Sequence, residues 1–145
     1  MKKVTVIILL TYSICGFAIK WEKIAEDYDG NSIYIDLDSI EKKESRVYYS
    51  NLIDFLEPKQ KGYSVVSKFK VDCGEEQMSW LSTTFYSQPM GKGEITSKST
   101  VKQIRLPQTD AIARAELLLV CRWSKLSSPD SLLWQAFILK WCFPH

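Results

Sequence analysis

Tyr63-Ser64-Val65-Val66-Ser67-Lys68-Phe69-Lys70-Val71-Asp72-Cys73 is the stretch that decides the fold. Tyr63, Val65, Phe69, Val71 and Cys73 fall on one side of a period of two, with Lys68, Lys70 and Asp72 on the other. That alternation marks a strand with one covered face and one face in water. Cys73, Gly74 and Glu75 close it, and residues 77–87 return, with Met78, Trp80, Thr84 and Tyr86 opposed to Leu81, Thr83 and Phe85. An antiparallel pair follows. Upstream, residues 46–56 carry Val, Tyr, Ile and Phe on both alternating sets, which predicts a central strand covered on both faces, and Glu57 to Gly62 then turns the chain. Residues 19–26 and 32–37 flank Asp27, Asp29, Gly30 and Asn31, where Gly30 or Asn31 can take positive φ, so a first hairpin is expected.

Downstream the pattern changes twice. Pro89 to Glu94 and the polar residues up to Thr100 read as a long connection, followed by a short apolar run from Val101 to Leu106 before Pro107. Gly91-Lys92-Gly93 lacks the GxxxxGK[ST] spacing of a phosphate loop, and glycine there most simply supplies backbone conformations that a side chain forbids. From Thr109 the period is helical. Thr109 or Asp110 caps, and Ile112, Ala115, Leu118 and Leu119 make a stripe expected to lie on the sheet, with the helix ending near Cys121. The fold class predicted is α+β, an antiparallel meander of about five or six strands with one packed helix before Cys121. Ser128-Pro129-Asp130 then opens a candidate extra C-terminal helix, and ten of residues 131–143 are Leu, Trp, Ala, Phe, Ile or Cys. Thirteen residues are too few to span a bilayer, for which a helix needs about 20. Residues 123–145 are therefore read as an apolar C-terminal extension, with three alternatives: a helix packed on the domain, a partner or membrane-surface contact, or a segment without fixed order.

The N-terminus reads as an export signal. Lys2 and Lys3 precede sixteen uncharged residues before Lys20, and Gly16 and Ala18 place a small-residue cleavage site after Ala18. Residues 1–18 are thus the expected signal peptide and residues 19–122 the domain, in the periplasm or at the outer-membrane surface. Lipidation at Cys15 is the alternative, although Ile14 and Tyr12 stand where a lipoprotein signal prefers a small and a leucine-like residue. Loss of Lys2 and Lys3 leaves 17 basic and 17 acidic residues, so no electrostatic partner is implied and nucleic acid is excluded as one. Three cysteines remain, Cys73, Cys121 and Cys142, bound for an oxidising compartment. Three pairings are possible. Cys73 with Cys121 is favoured because both close well-patterned elements, which leaves Cys142, three residues from the terminus, as a free thiol.

His145, the last residue, is the one histidine in the chain, so a Ser-His-Asp triad, a Cys-His pair and a two-His zinc motif are not available. Asp27, Asp29, Asp36 and Asp38 form the densest acidic stretch, but counting a calcium loop from Asp27 puts Ser32 at the sixth position and Asp38 at the twelfth, where Gly and Glu are required. The reading is of solvated acids at turns and strand ends. No catalytic, cofactor-binding or metal residue is assigned, and the function class is a non-enzymatic interaction module.

Trp21, the Tyr34-Ile35-Asp36-Leu37-Asp38-Ser39-Ile40 string, Asp54-Phe55, Cys73, the Tyr86-Ser87 to Gly91-Lys92-Gly93 segment and Val120-Cys121 resemble, in order and spacing over residues 21–121, the bacterial surface-adhesin protein E-like family. The resemblance implies an antiparallel sheet with a helix, a bond between Cys73 and Cys121, an exported and often lipid-anchored protein, and no catalysis. It implies a protein partner from the host extracellular matrix or the envelope, and homodimer formation. Haem is the small-ligand alternative; without an internal histidine its axial candidates are Tyr residues or Met78 and Met90. The chain departs from the family pattern in continuing 24 residues past Cys121.

Overall fold

The computed structural model describes residues 20–105, 107 and 110–126. The export signal, Cys15, Thr109, Cys142 and the apolar segment from residue 127 onward lie outside the described residues. Among the described residues seven strands form one antiparallel sheet: β1 (Trp21–Glu26), β2 (Ser32–Asp36), β3 (Glu41–Lys43), β4 (Arg46–Lys59), β5 (Gly62–Asp72), β6 (Gln77–Gln88) and β7 (Lys92–Arg105). Their order across the sheet is β1-β2-β4-β5-β6-β7, and one helix, α1 (Ala111–Leu126), follows. β4 is long enough to take two partners along one edge, β3 opposite Arg46 to Tyr48 and β2 opposite Asn51 to Asp54.

Local chemistry explains the joints. In the β1–β2 turn Asp27 accepts hydrogen bonds from the backbone N–H of Asp29 and Asn31, both at 2.9 Å, and from the Asn31 amide at 2.8 Å, while Gly30 takes φ +79°. Short Asx side chains favour such turns because they satisfy backbone donors locally. The β4–β5 hairpin turns at Gln60-Lys61, later than Glu57 to Gly62 suggested, because β4 runs on through Pro58 to Lys59 across an irregularity after Asp54. Gly62 at φ +138° is obligatory: an added Cβ would fall on the carbonyl oxygen of Tyr86.

The core lies between the sheet and α1. Ile35, Val47, Tyr49, Phe69, Val71 and Met78 from the sheet meet Leu117 and Val120 from the helix. The Tyr49, Phe69 and Trp80 rings stack in series, with centroids 5.3 and 5.9 Å apart. Asp110 caps α1, its carboxylate accepting from the N–H of Ile112 at 3.0 Å and of Ala113 at 3.1 Å.

The helix is rotated from the stripe that hydropathy suggested. Ala113, Glu116, Leu117, Val120 and Ser124 are its buried residues, whereas Ala115 is exposed and Leu118 is 53% exposed. Hydropathy fails here because the face that meets the sheet carries a glutamate, held by hydrogen bonds that pattern counting scores as solvent-facing. α1 also continues past Cys121 and Arg122 to Leu126.

Two further differences come from irregular strands. Leu81 bulges out of the β5–β6 ladder, since Phe69 pairs with Trp80 and Lys68 with Ser82. Parity therefore flips, so that Met78 and Trp80 lie on the helix side while Thr84 and Tyr86 lie on the other. The long connection expected over residues 89–100 is a tight turn, Pro89–Gly91, followed at once by the fourteen-residue β7. An edge strand of Ser, Thr and Lys has no alternating apolar set to reveal it.

Candidate functional site

Each face of the sheet carries its own polar chemistry. Under α1, Glu116 is 4% exposed and accepts from the Tyr49 hydroxyl at 2.6 Å and from the Asn51 amide at 2.9 Å. A carboxyl group buried there stands because each of its two oxygens has a donor in place of water. Asn51, Ser67 and Thr83 form a buried polar row across β4, β5 and β6. The Asn51 carbonyl and the Thr83 hydroxyl in that row have no hydrogen-bond partner among the described residues. This cluster lies buried beneath the helix and pins α1 to β4.

Among the described residues, the face opposite α1 is covered only in part, by the turn between β6 and β7. Leu52 is buried there because the Pro89–Gly91 turn folds back over β4 and β5. Three bonds hold that turn: Met90 N–H to the Asp54 carboxylate at 2.7 Å, Gly91 N–H to the Ser64 hydroxyl at 2.9 Å, and Ser64 Oγ–H to the Gln88 carbonyl at 2.6 Å. Met90 sits at φ 58° and Gly91 at φ 69°, the left-handed region a reversal this tight requires.

Between the turn and β1 runs a groove of about 590 Å³, lined by Trp21, Val66, Tyr86, Met90 and Gly91, with Lys20 and Lys92 beside them. A smaller depression of about 200 Å³ adjoins it through the shared Val66 and Tyr86 and reaches Lys68, Ser82, Thr84, Ile95 and Lys98. Together they make a trough with an apolar and aromatic floor, and no Asp or Glu is among the described residues that line it. Lys20, Lys68, Lys92 and Lys98 have no ion-pair partner among the described residues, where the paired cations are Lys23, Lys43 and Arg46.

The residues singled out in the sequence are placed as follows. Cys73 and Cys121 are bonded, with S–S 2.00 Å and Cα–Cα 5.8 Å, tying the end of β5 to α1. Asp36 is not a solvated acid: it is buried, its carboxylate accepts the Asp38 N–H at 3.2 Å, and burial pushes it above the usual carboxylate range. Asp27 and Asp29 belong to the first turn, where the Asn31 amide holds Asp27 below that range. Among the described residues no three His, Cys, Asp or Glu side chains come together. Of the haem candidates, Met78 is fully buried in the core beside the Tyr49 hydroxyl, out of reach of a surface ligand, and Met90 and Tyr86 meet in the groove. Sequence reasoning missed the trough because β7 was not read as a strand and the parity of β6 was misplaced; the lysines at 68, 92 and 98 were its available signal.

Among curated proteins no relative matches the chain. Solved structures of Haemophilus influenzae protein E do match in fold. One crystal form shares 21% identity at a TM-score of 0.56, covering 69% of this chain and 87% of that one. Protein E from a non-typeable strain of the same organism shares 20% identity at a TM-score of 0.53, covering 77% and 90%. Identity at this level speaks to the fold alone. The family model described as surface-adhesin protein E matches residues 21–122, from the first strand through the second bonded cysteine. With its sheet, helix and Cys73–Cys121 bond all inside the matched span, the chain belongs to the surface-adhesin protein E family.

Proposed function

We propose that this chain is an exported, non-enzymatic adhesin that binds a protein of the host extracellular matrix or of the cell envelope through the sheet face opposite α1. The observation that carries the reading is the trough itself: half-buried aromatic and aliphatic groups with the exposed Ile95, beside cations that have no ion-pair partner among the described residues, on the face turned away from α1. In this reading residues 1–18 are removed on export, residues 19–122 form the binding domain, and the protein resides in the periplasm or at the outer-membrane surface; the alternative processing keeps Cys15 as a lipidated first residue, and membrane contact is made either through that lipid or through residues 123–145. Homodimerisation, read by light scattering, belongs to the same proposal. The full-length chain, immobilised and passed over a panel of matrix and envelope proteins, is expected to bind at least one saturably, with loss on Tyr86→Ala. Absence of saturable binding across the panel overturns the reading.

One specific observation favours a second reading, an amphiphilic planar ligand such as haem. Met90 and Tyr86 stand in the groove as axial candidates beside Lys20 and Lys92, which would meet carboxylates. A Soret shift on titration that Met90→Leu and Tyr86→Phe abolish would support it; an unshifted band decides for the protein partner.

A further inference from the structure

We infer that the trough is a recognition site for a linear sulfated polysaccharide, so that the adhesin engages the anionic glycan chains its partners carry. This rests on taking the face opposite α1 as the binding face.

The argument begins with what a sheet face can offer. Val66, Lys68, Thr84 and Tyr86 come from β5 and β6, whose main-chain groups are spent on ladder pairing, and Lys98 comes from β7, which pairs with β6 and whose outer edge lies in the sheet plane beyond the trough. An acidic peptide adding a strand needs unpaired backbone donors and acceptors, which only a sheet edge supplies. Recognition in the trough must therefore use side chains alone. Those present are ammonium groups, the Ser82 and Thr84 hydroxyls and aromatic rings. Rings pack against the apolar faces of sugars, hydroxyls bond to sugar oxygens, and ammonium groups pair with sulfate or carboxylate.

Charge selects the anionic class. The four lysines lie along one face with no acid among the lining residues, although the chain without residues 1–18 carries 17 basic and 17 acidic side chains. The acids that share this face are already engaged: Asp54 accepts the Met90 N–H, Asp72 faces Arg46 at 4.0 Å, and Asp36 is buried. Lys68 and Lys98 stand on strands either side of β6, on the order of 10 Å apart by strand spacing. That is near the screening length at physiological salt, so their mutual repulsion is modest and a polyanion crossing both relieves it.

The test is titration of the full-length chain with a heparin decasaccharide at about 0.15 M salt. Saturable binding that weakens steeply with added salt is expected, because counter-ions are released from the polyanion. Lys68→Ala with Lys98→Ala should weaken it about tenfold or more. Both side chains are exposed, so the fold survives and an unchanged melting curve verifies it. The charge-matched control, Lys42→Ala with Lys125→Ala, should bind within about twofold of the parent. Failure of the parent to bind, equal loss in the control pair, or equally tight binding of poly-L-glutamate each overturns the inference. Capture of a matrix protein stripped of its sulfated chains, without binding of the free decasaccharide, overturns the inference while the adhesin reading stands. Loss of both overturns both.

Discussion

Thr83 is 4% exposed, and its hydroxyl, at the β6 end of the polar row under α1, has no partner among the described residues. A buried hydroxyl without a partner costs about 1–3 kcal/mol, and valine has nearly its shape. Thr83→Val should therefore raise stability by about 1 kcal/mol in urea unfolding. Glu116 behaves in the opposite sense. Its removal takes the acceptor from the buried Asn51 amide and the stronger of two acceptors from the Tyr49 hydroxyl, which keeps the Met78 sulfur, so Glu116→Ala should cost about 2–4 kcal/mol and Glu116→Gln less, since the amide keeps one acceptor. Asp36 makes stability pH-dependent. Burial raises its folded pKa above the unfolded value, so the folded state holds the proton longer and stability falls as pH rises through that window. Asp36→Asn should melt higher than the parent at neutral pH, and the difference should close below the ordinary carboxylate range. A gap that widens in acid contradicts this assignment.

At the scale of elements, the disulfide and the hairpins carry the topology. The Cys73–Cys121 bond spans 48 residues, a closure worth about 4 kcal/mol in the chain-entropy account. Replacing both cysteines by serine should lower the urea midpoint accordingly while leaving the sheet's circular dichroism at low denaturant. Gly62→Ala should cost more than an ordinary strand substitution, because backbone rather than a movable side chain occupies the space. The legibility of these elements differs for physical reasons. β5 could be read from Tyr63 to Cys73 because one face is buried under α1 and the other meets water. β1 and β2 were legible through the Asp27 to Asn31 turn chemistry. β7 was not, since an edge strand such as Ser97-Lys98-Ser99-Thr100 buries little and so leaves no hydropathy signal. The orientation of α1 was set by Glu116 and the Cys121 bond, two constraints outside hydrophobic periodicity.

For the molecule as a whole, the two sheet faces divide the work. One is consumed by the core and by a buried polar clamp that orients the helix; the other keeps Trp21, Tyr86 and the lysines available. The candidate site was legible only as scattered residues, because a trough spanning β1, β5, β6 and β7 exists once four strands and a bulge are in register. The central claim is that adhesion uses the face opposite α1. Its most direct test is binding of the full-length chain to immobilised extracellular matrix, compared between paired variants of opposite faces. Lys98→Ala with Tyr86→Ala should lose about tenfold or more in affinity, and Arg114→Ala with Arg122→Ala, both exposed on α1, should match the parent. Retained binding in the first pair with loss in the second would place adhesion on the helix and contradict the account.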